Sequence, residues 1–167
     1  MNVQTLTPAV RRDDFGCEPF ANAPEPNPAP RILLAEDDDA MRRFLSAVLV
    51  GQGFEVTSVA DGAAAWEALV GERYELLLTD HEMPRLTGLQ LIARLRTAGR
   101  SLPVILVSGS FVGGELPPHQ QQLQIAALLG KPFGLPELLH TVNQALASAQ
   151  EIAPADPASR HQLQARP

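Results

Sequence analysis

Short apolar runs recur along this chain at Ile32-Leu33-Leu34-Ala35, Phe54 to Ala60, Tyr74 to Thr79, Val104-Ile105-Leu106-Val107 and Ile125 to Leu129. They read as continuously apolar rather than alternating, the pattern of strands covered on both faces, as in a parallel sheet. Segments with helical spacing separate them. Met41, Phe44, Leu45, Val48 and Leu49 follow i, i+3, i+4, i+7, i+8, and Gly51 and Gly53 close that helix. Asp61 stands where an N-cap belongs, before a helix whose apolar face is Ala65, Trp66, Leu69 and Val70. Leu91, Ile92 and Leu95 mark a third helix. A last one carries Pro136 in its first turn, with Leu138, Leu139, Val142 and Leu146 turned inward. Strands alternating with helices predict an α/β, doubly wound, five-stranded parallel sheet flanked by helices. One stretch resists the pattern: 109–124 holds Gly113-Gly114 and Pro117-Pro118, so a helix between the fourth and fifth strands is expected to be short or irregular.

The folded window is bounded by composition. Residues 1–30 carry six prolines and no hydrophobic periodicity, and are expected to be disordered. After Ala149 the chain turns to Ala, Pro, Gln and Arg; one domain over 31–147 and a disordered tail over 148–167 are expected. The net charge of -6 argues against a nucleic-acid partner, which would require a clustered basic face. The single cysteine, Cys17, can form no intrachain disulfide. No run approaches the roughly 18 apolar residues of a membrane span, and the N-terminus lacks a secretory signal pattern. A soluble, cytoplasmic protein with no membrane partner is expected.

In open parallel sheets, ligands bind beyond the carboxyl ends of the strands. Glu36-Asp37-Asp38-Asp39 follows the first strand, Asp80 the third, Ser108 the fourth and Lys131-Pro132 the fifth. Carboxylates, a hydroxyl and an ammonium thus converge on one edge. Carboxylates that close repel unless a cation shares the site, and a hard divalent ion such as magnesium suits an all-oxygen donor set. An aspartate there can act as a nucleophile and form an acyl phosphate. Asp38 and Asp39 read as cap and first-turn residues, His81 as a solvated loop histidine, and Trp66 as core or half-buried.

At these residues the sequence resembles response-regulator receiver domains. The stretches that carry the resemblance are ILLAEDDDAMRRFL at 32–45, LLLTDHEMPRLTGLQL at 76–91, PVILVSGS at 103–110 and GKPF at 130–133. The resemblance implies the flavodoxin-like receiver fold, with strand order 2-1-3-4-5. It implies Asp80 as phosphoacceptor, and Glu36, Asp37, Asp80 and the backbone carbonyl of Glu82 as magnesium ligands. Ser108 matches the switch hydroxyl and Lys131 its ion-pair partner, with a cis peptide before Pro132 that aims the lysine inward. Met83-Pro84 and Gly88 shape the loop after Asp80.

The implied function is a stand-alone receiver, not an enzyme beyond its own magnesium-dependent phosphorylation and dephosphorylation. It would take a phosphoryl group from a histidine kinase or histidine phosphotransfer protein and signal through protein contacts, as a monomer or weak dimer. Two departures stand out. The aromatic position three residues before the lysine is Leu128, and the segment before the fifth strand is Gly- and Pro-rich. A degenerate receiver that only docks partners is an alternative, which the complete acid, hydroxyl and lysine set opposes. The other alternative, an aspartate-nucleophile phosphohydrolase, would need its D-x-D nucleophile on the first strand, whereas Asp80 follows the third.

Overall fold

Each apolar run contributes a strand. A computed structural model describes residues 28–110 and 122–152 of the chain. In chain order the elements are β1 (Arg31–Ala35), α1 (Asp39–Gly51), β2 (Glu55–Val59), α2 (Gly62–Gly71), β3 (Leu76–Asp80), α3 (Gly88–Thr97), β4 (Val104–Ser108), β5 (Ala127–Gly130) and α4 (Leu135–Ile152). The strands form one sheet in the order β2-β1-β3-β4-β5. All pairings are parallel, with Leu34 beside both Ser58 and Leu78, Leu78 beside Ile105, and Ile105 beside Ala127. The chain therefore leaves β1 in one direction and returns at β3 in the other, which opens a crevice at their carboxyl ends.

Two cores follow from the pleat. Ile32, Leu34, Leu76, Leu78, Ile105 and Val107 pack on one face with Leu45 and Leu49 of α1 and Leu138 and Val142 of α4. Leu33, Ala35, Leu77 and Leu106 pack on the other with Ala65 and Leu69 of α2 and Leu91, Ile92 and Leu95 of α3. Burial on both faces explains the unbroken apolar runs of β1, β3 and β4. The edge strands differ from that expectation: β2 has no fully buried position, and β5 is fully buried only at Leu129.

Several sequence boundaries and faces need correction. Phe44 and Val70 fit the core-facing template but are 50% and 59% exposed. Each sits one residue from a buried leucine, and a helix turns about 100° per residue, which carries both to the solvent edge of their stripes. The fifth strand begins at Ala127 rather than Ile125, after a short 3-10 turn at Gln122 and Leu123. The last helix runs to Ile152, five residues past the boundary read at Ala147. Residues 1–27, 111–121 and 153–167, and most of what was expected of the tails and of the fourth connection, lie outside the described residues. No helix among the described residues is long and apolar enough to cross a membrane.

Candidate functional site

The four acids that follow β1 divide into two pairs. Asp38 is the N-cap of α1, its carboxylate accepting from the Met41 N–H at 2.7 Å, and Asp39 lies in the first turn, paired with Arg42 and Arg43. Both act on the helix end, where the first N–H groups lack intrahelical acceptors and negative charge is favoured. Glu36 and Asp37 instead face the crevice. Glu36 is buried, and its N–H donates to the Val59 carbonyl at 3.2 Å.

Asp80 closes β3 and is also buried. Several contacts hold the loop behind it. The His81 N–H donates to Val107 O at 2.8 Å, and the His81 carbonyl accepts from Gly88 N–H at 3.0 Å. A capping box between Thr87 and Gln90 starts α3. Gly88 lies so close to the strand end that a Cβ there would stand 2.3 Å from Asp80 O, which fits only glycine. Arg85, with φ of 66°, sends its guanidinium to Asp61, whose carboxylate also caps α2 by accepting from Ala63 and Ala64 N–H. His81 is half-buried rather than solvated.

Ser108 ends β4 at 1% exposure, and its hydroxyl accepts from Ser110 N–H at 3.0 Å. The Ser110 hydroxyl in turn donates to the Glu82 carboxylate, which joins the loops after β3 and β4. Beyond β5, the Lys131 N–H donates to Ser108 O at 2.8 Å, and the Lys131–Pro132 peptide is cis. The Lys131 ammonium reaches Asp80 Oδ1 at 3.1 Å and Glu36 Oε2 at 3.2 Å.

Four residues from three strand ends thus meet. One carboxylate oxygen each from Glu36, Asp37 and Asp80 lie within 4.8 Å of one another, with the ammonium alongside. Burial, then the charge of Asp80, raises the Glu36 pKa above the ordinary carboxylate value, against the opposing pull of Lys131. Burial alone would lower the Lys131 pKa, but the hydrogen bond to Asp80 and the charges of Asp80 and Glu36 outweigh it and raise it. Such a set is short of positive charge. All its donors are hard oxygens, which suits a magnesium ion. Ser108 is buried at the neighbouring strand end, while Glu82 is exposed and offers its carboxylate to Ser110. Leu128 is half-buried against the core formed with α2 and α3.

Some contacts escaped the sequence reading. Arg42 donates to the carbonyls of Glu36 and Asp37, and Ser110 bridges Ser108 and Glu82. The only sequence signal for Arg42 is a cation one helical turn after an acidic run.

Comparison with known proteins agrees with this geometry. A family model described as the response regulator receiver domain matches residues 32–143. The response regulator receiver protein CpdR of Brucella abortus is 40% identical over 119 residues, covering 71% of this chain and 98% of CpdR. The transcriptional regulatory protein TctD of Salmonella typhimurium is 39% identical over 110 residues, but the match spans 65% of this chain and only 48% of TctD. Among solved structures, the receiver domain of the Francisella response regulator 1452 aligns with a TM-score of 0.66 at 27% identity, over 71% of this chain and 98% of that one. The receiver domain of sensor histidine kinase PA1611 from Pseudomonas aeruginosa, solved with magnesium in its active-site cleft, aligns with a TM-score of 0.63 at 29% identity, over 71% and 98%. Sheet order, site and sequence agree: the chain belongs to the response regulator receiver domain family.

Proposed function

We propose that this receiver accepts a phosphoryl group on Asp80, from a histidine kinase or histidine phosphotransfer protein, and signals by protein–protein contact. The observation that carries the reading is the meeting of Glu36, Asp37 and Asp80 carboxylates with the Lys131 ammonium at the carboxyl edge of the sheet. A carboxylate oxygen of Asp80 attacks phosphorus, the bond from phosphorus to the donor's imidazole nitrogen breaks, and an acyl phosphate forms. Lys131, already 3.1 Å from Asp80 Oδ1, balances the charge on the transferred oxygens. Glu36, Asp37, Asp80 and the backbone carbonyl of Glu82 would hold magnesium, which supplies further neutralisation of the phosphoryl charge. Ser108 is the hydroxyl that turns toward the phosphoryl group, which requires release of its bond from Ser110 N–H. Stand-alone action is the form proposed, in keeping with the match to nearly all of CpdR.

Intact-mass measurement after incubation with acetyl phosphate and magnesium tests this. The wild type should gain one phosphoryl mass and Asp80→Asn none. Equal labelling of the two would remove Asp80 from the role.

A further inference from the structure

The acidic pair has a support of its own that the reaction as described does not use. Glu36 and Asp37 lie on the link between β1 and α1, still tied to β2 through Glu36 N–H to Val59 O but past the last strand residue and before the helix. Side chains there keep a fixed aim only if the backbone carrying them is pinned. Arg42, the fourth residue of α1, leans back over this link, as helical side chains do toward the N-terminus. One of its terminal nitrogens, Nη1, donates to Glu36 O at 2.8 Å and to Asp37 O at 3.2 Å. Its other terminal nitrogen is held by Asp39, and the side chain is only 17% exposed. The Arg42 N–H also donates to Asp38 O at 2.8 Å. Three successive carbonyls, those of residues 36, 37 and 38, are therefore turned back onto one residue.

We propose that Arg42 is the positioning residue of the acidic pair. By drawing both carbonyls toward α1, it leaves the Glu36 and Asp37 carboxylates directed at Asp80, where a divalent cation binds. The inference rests on the magnesium site proposed above and adds a named cause for its geometry. The role depends on shape as well as charge. A guanidinium presents its donors in a fixed plane and spans two carbonyls while still pairing with Asp39, whereas a lysine ammonium is a point charge on a flexible stem. Residues that orient metal ligands from behind typically change affinity by about 10- to 100-fold when removed.

Magnesium titration by calorimetry on the whole chain, with Arg42→Gln and Arg42→Lys beside the wild type, tests the role. Both variants should bind magnesium about tenfold more weakly. The magnesium dependence of labelling by acetyl phosphate should move by the same factor, with its plateau at saturating magnesium retained. A merely structural contribution would lower Tm without magnesium and leave the titration in place. Wild-type affinity in both variants overturns the proposal, and so does wild-type affinity in Arg42→Lys alone, since charge would then suffice. Should the variants not fold, NMR of the wild type decides: slowly exchanging Arg42 guanidinium protons support the brace, and freely exchanging ones overturn it. A wild type that binds no magnesium removes the metal reading together with the brace. A wild type that binds beside unaltered variants removes the brace alone.

Discussion

Replacing Lys131 by methionine keeps most of the side chain's volume and deletes its charge, so the change isolates what the ammonium does. In the fold, Lys131 Nζ stands 3.1 Å from Asp80 Oδ1 and 3.2 Å from Glu36 Oε2. At an effective dielectric constant of about 20, each contact is a gross attraction of roughly 5 kcal/mol. Desolvation of the lysine, 28% exposed, consumes a large part of that. What remains after its removal is worse than a lost pair, because Glu36 and Asp80, 2% and 7% exposed at their side chains, then face each other without a cation. Breaking a buried pair on one side costs about 3–5 kcal/mol, and the partial exposure of Lys131 places this case near 3. For a domain of this size, that is a fall in Tm of about 10 °C at neutral pH without magnesium.

The pH dependence has a definite sign. Burial and the charge of Asp80 raise the folded pKa of Glu36 above 4.5, and loss of Lys131 raises it further by removing the group that opposed them. A raised carboxylate contributes stability in full below its unfolded pKa and loses it as pH rises through the folded value. The deficit of Lys131→Met should therefore be largest near pH 7 and shrink as pH falls toward 4.5. Magnesium should narrow it too, since the more negative site binds the cation more tightly. Thermal unfolding of both proteins from pH 4.5 to 7.5, with and without magnesium, measures all of this. Equal Tm at pH 7 without magnesium, or a gap indifferent to both pH and magnesium, would refute the reasoning.

Glu36→Gln should stabilise the metal-free protein at pH 7, because it removes a charge whose folded pKa is raised. The gain should close as pH falls to 4.5, while magnesium affinity drops; thermal unfolding and calorimetry report the two effects. Asp61→Ala removes two cap bonds and the Arg85 pair, and should cost about 1–2 kcal/mol in urea unfolding. The Asp61 pKa is lowered, first by the Ala64 N–H bond and then by Arg85, so this cost should be complete above pH 3.8 and fade as pH falls through the folded value. Gly88→Ala must push its new methyl away from Asp80 O, so stability should fall by about 3 kcal/mol and acetyl-phosphate labelling should slow with it.

The core strands were legible because both faces are buried, which keeps the middles of β1, β3 and β4 apolar and leaves polar residues only toward their ends. The edges were less so. Phe44 and Val70 fit an apolar helical template equally well on its buried and its solvent side, and only the sheet behind the helix decides. The start of β5 was misplaced because Arg96 takes the carbonyls of Leu123 and Gln124, and Ile125 and Ala126 serve as approach to the strand. Ser148, Ala149 and Gln150 resemble tail composition after Ala147, yet alanine is the strongest helix former, and Ala145, Ala147 and Ala149 help carry α4 to Ile152. At the site, Glu36, Asp37, Asp80 and Lys131 could be read from their places after strands. Arg42 and Ser110 act largely through backbone atoms, and a contact to a carbonyl or an N–H leaves no partner residue type in the sequence to detect.

The same imbalance that lowers stability gives the site its capacity for chemistry. Glu36 and Asp80 are almost fully buried, and in the metal-free fold the ammonium of Lys131 is the cation in contact with both. A proton on Glu36, Lys131 itself and a divalent ion all relieve one and the same repulsion, so each changes how strongly the others are held. Replacing the acids by apolar residues would make the fold more stable and remove the groups proposed to hold a cation and accept the phosphoryl group, the usual exchange between stability and activity. The neighbouring strand end adds the conformational half. Ser108 is tied to Ser110, and Ser110 to Glu82 on the loop that follows Asp80, so two hydrogen bonds join the loops after β3 and β4. Leu128, half-buried on β5, has no ring to turn and little contact area to exchange between two rotamers. Any two-state response at this edge then depends more on the loop bonds than on a side chain changing place.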